Sequence, residues 1–320
     1  NPYDSWTDFS LVNGNTYLQK KGTTYTSSTQ ISISSKSNIL IGSYGTGVRP
    51  KFSYTGSGYA FRIEYSSNCT VENFEVNGNA NAHSLFGVNG TLGNETNNIT
   101  INNCLLYNAH NTGNAGFGIH GSRNNNFSIL NTEIHNVALD GIYLAYCLNL
   151  EIGYSNIYDI NRRYFLNSNQ VYSSGDGIQL DGNYNGFHLH HTTVDRTNGA
   201  GNKFNVILAS AVGVSNNAVG IIEYCTFVTD NNVTTALQIE MGNGIITRYN
   251  TFRGITQGMR LGGAYTSNNL IHNNIFLNCS SGIGVGYKYP SVGPAVNTKV
   301  YNNVFYHVSG NHIWVDKSYV

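Results

Sequence analysis

Asn250-Thr251-Phe252, Asn273-Asn274-Ile275 and Asn302-Asn303-Val304 are three copies of one phrase. Altered copies stand further back at Asn102-Asn103-Cys104, Asn131-Thr132, Ser155-Asn156-Ile157, Thr192-Thr193-Val194 and Cys225-Thr226-Phe227. The copies lie about 23 to 37 residues apart, so a fixed unit recurs with connections of unequal length. A short run with alternating apolar residues precedes each, such as Phe187-His188-Leu189 or Leu270-Ile271. Before that run comes a second phrase: Gly116-Phe117-Gly118-Ile119, Asp140-Gly141-Ile142-Tyr143-Leu144, Asp176-Gly177-Ile178-Gln179-Leu180, Gly258-Met259-Arg260-Leu261 and Gly282-Ile283-Gly284-Val285. Alternation turns Ile142, Leu144, Ile178 and Leu180 inward and Tyr143 and Gln179 outward. A unit this short cannot bury its own apolar face, so successive units must stack.

The prediction is an all-β chain, a single-domain right-handed parallel β-helix with roughly three short strands per coil and about ten coils. Residues 1–37 are read as the N-terminal cap and first coil, 38–315 as the coils, and 316–320 as the C-terminal end. Asn suits the turn phrase because it tolerates the left-handed conformation and its amide reaches the same residue one coil away. Ser155, Thr192 and Cys225 stand in for it in the middle coils.

Composition narrows the function. The 320 residues carry no net charge and only 11% charged residues, which argues against nucleic-acid and membrane-surface partners. No apolar run approaches the ~20 residues of a membrane span. The chain opens at Asn1-Pro2-Tyr3 without Met or signal peptide, which reads as a mature chain and makes secretion the expectation. A monomer is expected. The five cysteines lack metal-ligand spacing and are read as buried free thiols. His190 and His191, adjacent in sequence, are placed on opposite strand faces and make a poor metal pair.

Stacking lets outward columns be read. The first is expected to run Arg62, Gly118, Tyr143, Gln179, Ile207, Gln238, Arg260, Gly284. The second is expected to run Glu64, His120, Ala145, Asp181, Ala209, Glu240, Gly262. Asp140 and Asp176 open their strands. Long connections at Asn161 to Gly175 and Asp195 to Asn202 would wall this face into a groove. Arg162, Arg163, Arg196, Lys203 and Arg260 are a large share of only 17 basic residues, with Tyr143, Tyr164, Tyr172 and Tyr184 nearby. Cations would hold a carboxylated chain and Tyr faces would stack on sugars, so the expected partner is an acidic polysaccharide.

Two chemistries fit, with β-elimination on a uronic-acid polysaccharide such as alginate the first expectation and hydrolysis the alternative. For β-elimination, Lys203 is the base, Tyr184 or Tyr143 the acid, and Gln179 or Arg260 the carboxylate binder. Gln179, Asp181, Asp176, His120, Gln238, Glu240, Arg162, Arg163, Arg196 and Tyr172 complete the expected substrate contacts. For hydrolysis, Asp181 and Glu240 share a column two coils apart, roughly 9–10 Å by strand spacing, at the upper end for inverting glycosidases. A non-catalytic sugar-binding β-helix is the third reading.

From about Asn38 to Val315, with Ser35-Lys36-Ser37-Asn38-Ile39-Leu40-Ile41-Gly42 at its start, the chain resembles the pectate-lyase-like superfamily of right-handed β-helices. Asp176-Gly177-Ile178-Gln179-Leu180, Val194-Asp195-Arg196 and Asn202-Lys203-Phe204 look like the central coils of β-helical alginate lyases. That resemblance implies Lys203 as base, a nearby Tyr as acid, and a lyase acting on a uronic-acid polymer. The paired-Asp and Arg-Ile-Lys segments of β-helical polygalacturonases and the DPHD motif of alginate epimerases are absent. No cofactor is expected; the alternative is one Ca²⁺ held by Asp140, Asp176 and Asp181.

Overall fold

The computed structural model describes Trp6 and residues 10–110, 116–160, 175–182, 184–197, 204–209, 218–229, 235–286 and 295–315. Their strands form three parallel sheets of eleven strands each, and every coil gives one strand to each sheet. The first sheet begins at Thr16–Lys20, the second at Thr24–Ser27 and the third at Ile31–Ser34. Residues 16–34 are thus a complete first turn, within the stretch read as cap and first coil, and the described strands make eleven turns. The fold is a right-handed parallel β-helix, the hand that parallel crossovers take.

Inward residues stack from coil to coil. Ile119, Ile142, Ile178, Val206, Leu237, Met259 and Ile283 are successive partners and are all fully buried. Phe252 and Phe276 lie face to face at 4.6 Å in the second sheet's interior. Each coil therefore roofs the next, which no coil could do alone. All five cysteines are free and buried, as expected.

Asparagine ladders stand at two turns of the coil, and the repeated phrase supplies the inner one. An outer ladder runs Asn38, Asn68, Asn98, Asn126, Asn149, all left-handed, with side-chain amides linked at 2.7–3.1 Å. An inner ladder links Asn250, Asn274 and Asn303 at 3.0 Å, and Cys225 N–H donates to Asn250 Oδ1 at 2.9 Å. Beside it, the left-handed positions of the central coils hold rings. Tyr154, His191, Tyr224 and Tyr249 stack at 4.8–5.1 Å. His191 sits in that turn conformation, which brings its Nδ1 to 3.1 Å from His190 Nδ1 instead of sending the rings to opposite faces.

The corner before the third sheet needs glycine. A Cβ on Gly177 would lie 2.4 Å from the Asn205 carbonyl oxygen and 2.3 Å from Val194 Cγ1. Backbone cannot yield as a side-chain tip can. Gly177→Ala is expected to cost about 1–3 kcal/mol, read as a lower thermal midpoint; an unchanged midpoint would contradict this close approach.

Candidate functional site on the third sheet

The outer face of the third sheet gathers the chemistry. Its first outward column runs Arg62, Gly87, His120, Tyr143, Gln179, Ile207, Gln238, Arg260, Gly284, Trp314. In the second, Ser122, Ala145, Asp181 and Ala209 are partners, and Glu240 follows Ile239 in the next strand. His120 thus lies beside Tyr143, one side-chain repeat from its expected place beside Ala145. From Tyr143 to Arg260 the expected column holds.

Strand parity turns Ile207, Gln238 and Glu240 away from the core, yet none is more than 8% exposed. This floor is shielded from water, where charges and hydrogen bonds act strongly. Asp181, half-buried, accepts Tyr143 O–H at 2.8 Å and Gln179 Nε2–H at 3.0 Å. Burial raises its pKa, while the hydrogen bonds from Gln179 and Tyr143 pull the other way. The Tyr143 phenol is itself raised by burial and by the neighbouring carboxylate.

Towards the N-terminal coils the floor continues as rings. His120 stacks on Tyr143 at 5.3 Å, and Phe117 lies 5.0 Å from His120. Tyr59 covers Gly87, where a Cβ would come within 2.4 Å of the ring. Burial, with His83 adding repulsion, lowers His120 to about 4, so it stays neutral near neutral pH. Tyr59 and His83 join this floor from outside the expected columns, and Phe117, expected to face inward, flanks His120. Tyr59 and Phe117 stand two residues before the core residues Phe61 and Ile119, the same corner position that Asp140 and Asp176 occupy.

Several expected site residues lie elsewhere. Tyr184 is fully buried and donates its hydroxyl to the Leu144 carbonyl; a bulge between Asn185 and Phe187 inverts its parity and turns it into the core. Arg196 is also fully buried, with Nη1 donating to the Phe204 carbonyl at 3.0 Å and 3.9 Å from Asp176 Oδ1. It neutralises a corner and does not face a groove. Asp176 and Asp140 are buried in that corner: Asp140 accepts the Asp176 N–H, and Asp176 accepts the Phe204 N–H at 2.8 Å. Asp140, Asp176 and Asp181 therefore do not converge on a Ca²⁺ position. Among the described residues no three His, Cys, Asp or Glu groups are arranged to hold a metal ion. Lys203, Arg162, Arg163, Tyr164 and Tyr172 lie outside the described residues. Of the face's cations, Arg62 pairs with Glu64 at 2.7 Å and Arg260 donates to Gln257 Oε1.

No family model and no curated protein matches the chain. Solved structures do. The GH136 lacto-N-biosidase of Eubacterium ramulus is 13% identical over 98% of this chain, with a TM-score of 0.61. The endo-xylogalacturonan hydrolase of Aspergillus tubingensis is 11% identical, covers 94% of this chain and 88% of its own, and scores 0.52. The A-module of mannuronan C-5 epimerase AlgE4 from Azotobacter vinelandii is 13% identical, covers 96% and 90%, and scores 0.50. The chain spans 65% of the lacto-N-biosidase's length. At these identities the likeness establishes the parallel β-helix fold.

Proposed function

We propose that this β-helix is a glycoside hydrolase of the inverting kind, with Asp181 as general acid and Glu240 as general base. One observation carries the reading: two carboxylates stand at outward positions of strands two apart in the third sheet, on a shielded floor that continues as aromatic rings. At about 4.8 Å per strand the pair is separated by about 9–10 Å at the backbone, which leaves room for a sugar and a water between them. Glu240 takes a proton from water as its oxygen bonds to the anomeric carbon. The glycosidic C–O bond breaks on the opposite side, and Asp181 protonates the departing oxygen. Burial suits Asp181 to the acid role, because it keeps the proton at higher pH than an ordinary carboxyl. The stacked rings of Tyr143 and His120, with Phe117 beside them, extend the floor as an aromatic surface along which a longer glycan would lie. Glycan hydrolysis on this fold is named for the lacto-N-biosidase and the xylogalacturonan hydrolase.

Elimination on a uronic-acid polymer such as alginate is the competing chemistry. Of its assigned groups, Lys203 lies outside the described residues and Tyr184 lies in the core. Tyr143, the other assigned acid, has its hydroxyl committed to Asp181, while Arg260 keeps its expected place in the outward column. The test is release of reducing ends from a panel of neutral and acidic glycans, expected from the wild type and lost in Asp181→Asn and Glu240→Gln. Release that survives both substitutions would overturn the assignment.

The pH profile gives a second check. Activity needs protonated Asp181, so it falls as pH rises through the raised pKa. Tyr143→Phe removes a hydrogen bond that favours the carboxylate, so Asp181 rises further and the basic limb moves to higher pH. A limb that stays or moves to lower pH would show that another group sets it.

A further inference from the structure

The second sheet carries an aromatic stack that stops abruptly. Its outward column runs Asn77, Tyr107, His135, Tyr158, Asp195, Val228. Tyr107 and His135 stack at 5.3 Å, and His135 and Tyr158 at 4.8 Å, with planes within 8° of parallel. Tyr107 donates to Glu75 and Tyr158 to Glu133, which fixes the ring planes. At the next coil the column drops from a ring to the short Asp195 side chain. A cleft of about 250 Å³ opens there, lined by Asn156, Tyr158, Asp159 and Asp195.

We propose that this cleft is a second carbohydrate-binding site, taking one neutral sugar unit of a glycan; the sugar class rests on the hydrolase reading above. The chain supplies rings for three coils, and a pyranose would form the next layer, its C–H face on the free side of Tyr158. Asp195 Oδ1 accepts both the N–H and the hydroxyl of Thr197, at 2.8 and 2.6 Å, so the carboxylate is held in place before any ligand arrives. Asp159 and Asn156 add an acceptor and an amide at the rim, the set that paired sugar hydroxyls need. Two carboxylates on one cleft repel a uronate, which selects a neutral unit. The site lies one sheet away from Asp181, on the strand that precedes Ile178–Asp181 in the chain, so it would hold a polymer without entering the reaction.

The test is native electrophoresis through gels containing β-glucan, xyloglucan, galactomannan or polygalacturonate. At least one neutral polymer is expected to retard the wild type and Asp181→Asn alike. Tyr158→Ala and Asp195→Ala are each expected to lose about tenfold in affinity, the scale of one stacked or hydrogen-bonded contact, with thermal midpoints only slightly lowered by the lost His135 and Thr197 contacts. Cleavage of short soluble oligosaccharides should be unchanged in both. Retardation indifferent to both substitutions, retardation by polygalacturonate alone, or none by any polymer would overturn the site. Retardation lost in Tyr158→Ala with no hydrolysis of any glycan would keep the site and sink the hydrolase.

Discussion

Asp181→Asn and Glu240→Gln are each expected to lower kcat by about 10²–10⁴-fold, the contribution of one positioned acid or base. KM should change little, because both amides keep the shape and part of the hydrogen bonding of the carboxylates. Asparagine at position 181 keeps one oxygen to accept from Tyr143 and loses one of the two acceptors that Gln179 uses. The two losses differ in kind. A substrate with an acidic phenol as leaving group needs no proton, so it should restore Asp181→Asn and leave Glu240→Gln inactive. Equal losses on both substrates would assign the residues to structure and remove the acid–base reading. Thermal midpoints near that of the wild type are part of the expectation.

Arg196→Ala is expected to destabilise the fold by about 3–5 kcal/mol, the cost of stripping one partner from a buried charge cluster. The guanidinium has no exposure, and its Nη1 satisfies the Phe204 carbonyl. It stands beside Asp176, which lies one coil from Asp140. Burial raises Asp140, repulsion from Asp176 raises it further, and Arg196 opposes both. Without the arginine, the folded state holds the proton on this pair to higher pH than the unfolded chain does. A group whose folded pKa is raised stabilises below its unfolded pKa and loses that stability as pH rises. The deficit of Arg196→Ala should therefore shrink on acidification. Asp176→Asn in the same chain should recover part of it, a coupling that a double-mutant cycle reads directly. A neutral Arg196→Ala would mean that the corner tolerates two buried carboxylates unaided.

The coils were legible because Ile142, Leu144, Ile178 and Leu180 repeat the same alternation, and because Asn250, Asn274 and Asn303 recur at the same turn. The column from Tyr143 to Arg260 followed from that register. His120 slipped for a definite reason. Phe117 and Ile119 read as the inward pair of their strand, whereas the inward pair is Ile119 and Gly121. Gly121 has no side chain to announce itself, and a Cβ there would meet the Val88 carbonyl oxygen at 2.3 Å. A two-residue slip preserves parity, so alternation alone could not catch it. Tyr184 was lost to a bulge, which adds one residue and inverts parity. Arg196 was misplaced because a basic residue counts as exposed until its buried partners are known, and Asp176 and Phe204 come from the neighbouring strand and connection. The ring stack at Tyr107, His135 and Tyr158 alternates between Tyr and His over three coils, so no single recurring residue type marks it.

The most direct measurement is mass spectrometry of the first cleavage products formed in heavy-oxygen water. Hydrolysis by Asp181 and Glu240 places a solvent oxygen on the new anomeric carbon, so every new reducing end should carry the label, with no unsaturated sugar at the other fragment's end. Unlabelled reducing ends together with an unsaturated uronate would show elimination instead and would contradict the hydrolase.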